Sequence, residues 1–258
     1  MLRLNNEINP SWPSDFFPGN IVNIRLGTWD RVEYGAATVG SHTDEPPVPC
    51  FVKGAMIRTD RGDVAVEALQ PGDLILTADH GAQPLRWIGR RTISRGLLAV
   101  YPQFRPIRIA AGALGPSVPD ADLLVSPQHR VLVRSSIARR MFGSAEVLVA
   151  AKHLCSLDGI EQVSDLPEVT YFHLLFDRHE VIVANGSLAE SLFVGPEAVK
   201  ALGDEASQEV LALFPELAEP QAGMPSARPQ VSGRLGRKLA QRHRQNDKPV
   251  QSLATEPA

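Results

Sequence analysis

Apolar positions in this chain come in short runs, and the character of the runs changes along its length. Between residues 50 and 195 they are brief and break at turn residues: A-M-I-R-T, then R-G-D, V-A-V-E-A-L, Q-P-G-D and L-I-L-T-A. Further runs follow at P-L-R-W-I-G, P-I-R-I, L-L-V, H-R-V-L-V-R, V-T-Y-F-H-L-L-F and H-E-V-I-V-A. Alternating or wholly apolar runs punctuated in this way predict strands. Arg61-Gly62 predicts a hairpin turn. Pro71-Gly72 fits the centre of a type II turn, where glycine accepts a positive φ, and Asn185-Gly186 predicts a third reversal. A short helix is expected around residues 150–154. Many short strands without alternating helices predict an all-β body, barrel-like or sandwich-like.

The flanks read differently. Residues 1–49 form a leader rich in Pro, Asn, Gly and Asp, with N-I-V-N-I-R-L as one candidate strand. Its end, E-P-P-V-P, is expected to be extended, because a residue before proline is pushed out of the helical region. An extended seam is accessible and suits a cleavage or attachment point. Residues 196–218 predict a helical extension. Pro196 suits a first helical position, and Val199, Leu202, Val210, Leu211, Leu213 and Phe214 recur at helical spacing. Residues 219–258 are rich in Pro, Gln, Ser and Arg and read as a disordered tail, unable to offset its ordering entropy by burial. Arg234, Arg237, Lys238, Arg242 and Arg244 make it basic; a solvated tail is the simpler reading, and contact with an acidic partner the alternative.

Composition narrows the classes. With 258 residues, 43% hydrophobic and 21% charged, the chain has room for one core plus extensions. A net charge of −3 and a pI near 6.2 give no overall reason to expect nucleic acid or an acidic membrane as partner. There is no apolar run of about 18 residues, so no membrane span is expected. No apolar signal region is seen near Met1, so the default compartment is cytoplasmic; unconventional export leaves no such mark. Cys50 and Cys155 cannot make a disulfide framework or a zinc site, and no metal or cofactor is expected.

The chemistry centres on P-C-F-V-K-G-A-M-I-R-T, beginning at Pro49. A lone cysteine is usually a small buried hydrophobe. Cys50, however, opens the folded body with a leader attached to its amino side. Attack of its thiolate on the Pro49 carbonyl would turn the Pro49–Cys50 amide into a thioester, an N-to-S acyl shift that splits one hard step into two easier ones. That step needs a proton donor for the leaving nitrogen, and histidine is suited to it near neutral pH. S-P-Q-H, Ser126 to His129, lies between two apolar strands. Its hydroxyl could hold the scissile amide while the His129 ring protonates the nitrogen. His173, on a predicted strand near the last turn, is a candidate assisting residue. Plainer readings cover His80 and Asp79 as turn residues, Trp87 as core, Cys155 as structural, and Glu67 and Asp73 as turn or strand-end hydrogen bonders.

Together these pieces resemble the Hint domains, the hedgehog/intein self-processing family. The run from Cys50 through L-I-L-T-A-D-H-G is similar to their opening element. Pro84-Leu85-Arg86-Trp87-Ile88-Gly89 resembles the P-x-x-W-x-G element of a bacterial subgroup. S-P-Q-H resembles T-x-x-H, with Ser126 for threonine, and His179 to Ser191 resembles the closing element. The resemblance spans about residues 50–195. It implies a horseshoe-shaped all-β fold of pseudo-symmetric halves, Cys50 as nucleophile, and His129 with Ser126 as its activating pair. Inteins end in His-Asn, and that Asn cyclises; here the matching pair is Glu190-Ser191, so no splicing is expected. Asn185 sits in the turn itself. No aspartate can be placed in the role that hedgehog proteins give one, and the chain after Ser191 is not evidently lipid-binding.

The expected activity is therefore a single-turnover cleavage or transfer. The chain's own N-terminal segment is the substrate, and water, a thiol or an amine resolves the thioester. Pro49 should slow attack at its own carbonyl, by sterics and by electron density already donated from the preceding one. The alternatives are a catalytically silent Hint-like scaffold or binding module, and a cysteine hydrolase acting on other proteins.

Overall fold

The computed structural model describes residues 48–193, 204–213 and 225–251, all within the compact unit Pro46–Ala258. The leader strand expected at N-I-V-N-I-R-L and the Pro196 helix start lie outside the described residues. Among the described residues the body is all-β: fourteen strands in two antiparallel sheets, with short helices between them.

The first sheet joins six strands: β1 (Phe51–Val52), β6 (Trp87–Ser94), β7 (Ile107–Ile109), β8 (Leu123–Val125), β11 (Ile160–Gln162) and β12 (Glu168–Leu175). Their order is β11-β7-β8-β1-β12-β6. The second sheet runs β10-β9-β14-β13-β2-β4-β5, with β3 paired to β2. Its strands are β2 (Met56–Thr59), β3 (Gly62–Ala65), β4 (Leu74–Thr77), β5 (Gly81–Pro84), β9 (Arg130–Arg134), β10 (Glu146–Ala150), β13 (Val181–Ala184) and β14 (Ser187–Glu190). Phe51, Ile57, Ile75, Ile107, Ile109, Leu123, Val131, Val149, Ile182 and Ala189 from both sheets share one core.

Turn chemistry explains the reversals. Ala184 pairs with Ser187 across Asn185-Gly186, whose φ values of 45° and 71° are those of a primed two-residue hairpin. Gln70 to Asp73 closes with a 3.1 Å backbone bond, and Gly72 takes φ 96°, as a type II turn requires. The first hairpin reverses at Asp60-Arg61, one residue earlier than expected, because Gly62 already pairs with Thr59. Residues 151–153 form a 3-10 turn near the helix expected at 150–154. V-A-V-E-A-L splits between the end of β3 and a 3-10 turn, Val66–Ala68. Glu67 accepts the Gly54 N–H, and Asp73 accepts the Gln70 N–H.

Within residues 50–195, α-helices stand at two places where none was expected. α1 (Arg95–Val100) follows β6, and α2 (Ser136–Phe142) follows β9. The second carries readable signals: the Ser135 Oγ accepts the Ala138 N–H, and Gly143 closes the helix at φ 75°. Within the expected helical extension, α3 (Asp204–Leu213) places Val210 against Trp87, Leu175 and Leu192.

The largest correction concerns the tail. The chain from 219 to 258 was expected to be disordered, yet α4 (Gly233–Gln245) is folded within it. Gly236, Leu239, Ala240 and His243 are buried at i, i+3, i+4 and i+7, while the arginines face outward. The high polar content hid this narrow stripe. A Cβ on Gly236 would come within 3.1 Å of Val149, so glycine lets the helix lie close on β10. Arg228 binds Asp79 at 2.7 Å, so the turn residue Asp79 has an ion-pair partner from this segment. Gln251 exchanges side-chain bonds with the Leu188 N–H and C=O. No helix among the described residues is long and apolar enough to cross a membrane.

Because Leu239 is fully buried, Leu239→Ala is expected to lower unfolding free energy by about 2–4 kcal/mol. Chemical denaturation followed by tryptophan fluorescence should show one transition moved to lower denaturant. An unchanged midpoint would mean that α4 does not contribute to the body's stability.

Candidate functional site

β1 is only two residues long, and its register decides the site. Phe51 pairs with Phe172 on β12 and with Val125 on β8. One residue further back, Cys50 therefore stands opposite His173 on one side and Ser126 on the other. Sequence separations of 123 and 76 residues are closed by this register.

The contacts follow. The Cys50 N–H, the nitrogen of the Pro49–Cys50 peptide, donates to Ser126 Oγ at 3.1 Å. The Ser126 hydroxyl donates in turn to the Val48 carbonyl at 2.9 Å. The Cys50 thiol donates to that same carbonyl at 2.8 Å, and its Sγ lies 3.7 Å from His173 Nε2. His173 Nδ1 lies 3.0 Å from the Pro49 carbonyl oxygen. A carbonyl can only accept, so Nδ1 carries the proton and Nε2 presents its lone pair to the thiol. Gly89 lies opposite His173 on β6; the Trp87 ring covers the space a Cβ would need, which accounts for glycine there.

His129 lies a step away. S-P-Q-H forms the expected turn, closed by a 3.0 Å bond from the His129 N–H to the Ser126 carbonyl. Its ring packs edge-on against Phe51, with centroids 4.4 Å apart. Neither ring nitrogen has a hydrogen bond of normal geometry, although the Cys50 main chain nearby favours the protonated ring slightly. The structure thus brings Ser126 and His173 directly to Cys50 and sets His129 beneath the next residue. His173, expected only to assist, reaches both the Cys50 sulfur and the Pro49 carbonyl oxygen. A histidine interrupting the apolar run V-T-Y-F-H-L-L-F was the signal for it. The Val48 carbonyl, which gathers both the thiol and the Ser126 hydroxyl, is a main-chain group with no sequence signal at all.

Burial dominates the electrostatics. Cys50 is 4% exposed and His129 1%. Burial pushes the Cys50 thiol well above its usual range, partly offset by Ser126 and by the positive charge of Arg91. Burial lowers His129 to about 3, helped by the positive charge of Arg130 and by the nearby rings of His173 and His179. His173 falls to about 4, again through burial, with the Pro49 carbonyl pulling the other way. The resting site therefore holds a neutral thiol and two neutral imidazoles. The apolar surroundings, Val52, Ile93, Leu98, Phe104 and Val169, impose this.

Cys155 is exposed, a correction to its expected structural role, and neither cysteine is paired. Trp87 is buried as expected and donates its indole N–H to Glu209 of α3 at 2.7 Å. No cluster of three or more His, Cys, Asp or Glu residues among the described residues could hold a metal ion.

Comparison with known proteins covers the same span. The profile of the Hint domain family matches residues 49–196. Among solved structures, the gp41-1 intein is 12% identical, with a TM-score of 0.33, over 55% of this chain and 98% of that one. An intein-like domain from Clostridium thermocellum is 12% identical at TM-score 0.33, over 55% of this chain and 97% of its own. A DnaB intein from Synechocystis sp. PCC 6803 is 12% identical at TM-score 0.34, over 55% and 98%. No curated protein sequence matches the chain.

The low histidine values carry a pH consequence. Folded His129 and His173 resist protonation down to about 3 and about 4, against 6.5 for a free histidine. Below the free value the unfolded chain takes up protons that the folded chain refuses, so stability falls with falling pH. The window is pH 6.5 down to about 4 for His173 and to about 3 for His129. The expected slope is about 1 kcal/mol per pH unit for each histidine. Denaturation midpoints measured at several pH values should show it, and a His129→Gln/His173→Gln variant should lose it. Equal slopes in both proteins would contradict the buried, neutral state of these rings.

Proposed function

Since the chain belongs to the Hint domain family, we propose that it processes itself at Pro49–Cys50, forming a thioester by an N-to-S acyl shift and releasing or transferring the segment before Cys50 without splicing. The observation that supports this is the position of His173: Nδ1 on the Pro49 carbonyl oxygen at 3.0 Å and Nε2 at 3.7 Å from the Cys50 sulfur.

The steps balance between the site and solvent. The Cys50 S–H turns from the Val48 carbonyl to His173 Nε2 and passes its proton there as sulfur attacks the Pro49 carbonyl carbon. The developing oxyanion is held by the His173 Nδ1–H, which already points at that oxygen. Ser126 keeps the scissile nitrogen oriented through its N–H. The nitrogen must gain a proton as the C–N bond breaks; His129, protonated from solvent in the small fraction that reacts, supplies it and returns to the neutral ring. The products are a Pro49 thioester on Sγ and the free amine of Cys50. The proton left on His173 returns to solvent while His129 has drawn one from it, so the protons balance and both rings end neutral.

The same burial makes the reaction slow. With His129 near 3, only about 10⁻⁴ of it is protonated at pH 7. The thiol, too, is far from ionised, and Pro49 hinders its own carbonyl. Water, a thiol or an amine then resolves the thioester. The residue at the intein-type closing position is Ser191, whose hydroxyl accepts the Glu180 N–H at 2.9 Å; with no asparagine there to cyclise, the downstream bond is left intact.

Intact mass before and after dithiothreitol or hydroxylamine tests this. Two fragments divided between Pro49 and Cys50 are expected, absent in Cys50→Ala. His173→Ala should slow their appearance by roughly 10²–10⁴-fold. A single full-length mass under every condition would overturn the proposal.

A further inference from the structure

Glu190 takes no part in that reaction, yet it is fully buried at the end of β14. Its Oε1 accepts the main-chain N–H of Arg130 at 2.8 Å. The Arg130 guanidinium lies 3.3 Å from both carboxylate oxygens. His179 Nε2 stands 3.4 Å from Oε2, with neither side chain exposed. His179 is turned that way because its Nδ1 accepts the Ala227 N–H at 3.1 Å. Ala227 is anchored beside Arg228, which grips Asp79 and Glu146.

The geometry matters because Arg130 follows His129. The peptide group joining the two is held at both ends: its carbonyl accepts the Ala151 N–H at 2.8 Å, and its N–H donates to Glu190. The first bond is ordinary main-chain pairing. The second comes from a charged side chain drawn out of water, an expensive choice for a purely structural purpose when an apolar residue would fill the space. The acceptor has to reach across from β14, and the length of the Glu190 side chain sets where its oxygen meets that N–H. That plane sets the direction of the His129 ring, whose two nitrogens are otherwise without regular partners. Glu190 does not touch the ring or the scissile bond; it acts through the adjacent peptide.

We infer that Glu190 is a positioning residue for His129, resting on the self-processing reading above: its carboxylate clamps the His129–Arg130 peptide so that the imidazole is held for proton delivery. The residue at the position where inteins carry their penultimate histidine has taken up support of the first step.

Two conservative variants separate reach from charge. Glu190→Gln keeps an acceptor at the same distance and loses the charge. Glu190→Asp keeps the charge and draws it back by one methylene. Both are made in the full chain and assayed by thiol-induced cleavage at saturating dithiothreitol. Glu180→Gln, a 2% exposed carboxylate that faces His80 instead, is the control for losing a buried charge. Glu190→Asp should slow cleavage by roughly tenfold or more, as misplacing a catalytic group does. Glu190→Gln and Glu180→Gln should stay within about threefold of the parent. The second readout is the ¹⁵N imidazole spectrum in a Cys50→Ala background, which keeps the chain intact. His129 resonances should move in Glu190→Asp and hold in Glu190→Gln. Unmoved His129 signals in Glu190→Asp, or a Glu190→Gln as slow as Glu190→Asp, would overturn the inference. If the parent itself never cleaves, the self-processing reading fails, and the His129 resonances alone decide whether Glu190 holds the ring. If Glu190→Asp does not fold, displaced His129 signals in Glu190→Gln overturn the inference and unmoved ones support it.

Discussion

The arrangement depends on one short piece of pairing: Phe51 wedged between Phe172 of β12 and Val125 of β8. Antiparallel register has a period of two, so a slip by one residue would turn Cys50 to the other face and separate it from His173. Two residues of strand would not normally specify register. Here they do, because Phe51 is 1% exposed and fills a position between the two sheets. The apolar residue immediately after Cys50 is therefore what aims it. Folding and site assembly are the same event: the chain cannot bury Phe51 without carrying Pro49 and Cys50 into place.

That burial has opposite effects on the two kinds of group. It raises the thiol and lowers both imidazoles, since each loses its charged form in apolar surroundings. A thiolate–imidazolium pair, as in a fast cysteine hydrolase, is disfavoured. What is gained is geometry: a neutral thiol held against a carbonyl, with a base and a donor on one ring. Slow chemistry is no handicap to a group that acts once on its own chain. It would be a serious one for an enzyme that turns over an external substrate, and this argues against the cysteine-hydrolase reading.

Much of the fold was legible because local chemistry wrote it. Asn185-Gly186 and Pro71-Gly72 specify their turns by the φ values their residues accept, and most central strands announced themselves by apolar content. Cys50 and Ser126 stood out by their place at a seam and in a turn. What stayed hidden was long-range. His173 approaches Cys50 from 123 residues away, and only the β1–β12 register, invisible in either segment alone, says so. β10 was missed although E-V-L-V-A is plainly apolar, because it follows a helix that was itself unread. α4 was missed for a compositional reason: five cationic residues in thirteen masked a four-residue stripe.

The segment carrying α4 changes how the body should be understood. Its Ala227 N–H fixes which nitrogen of His179 carries the proton, and His179 then faces Glu190, which holds the peptide after His129. A stretch that composition assigned to solvent thus ends two residues' contacts away from His129. The ion pairs of Arg228 with Asp79 and Glu146 lie partly in water and contribute little stability by themselves. Their effect is positional, because they keep Ala227 against a buried histidine whose Nδ1 accepts its N–H. The segment therefore belongs to the body on two counts, through hydrogen bonds to buried groups and through the burial of Leu239, Ala240 and Val250 in the core.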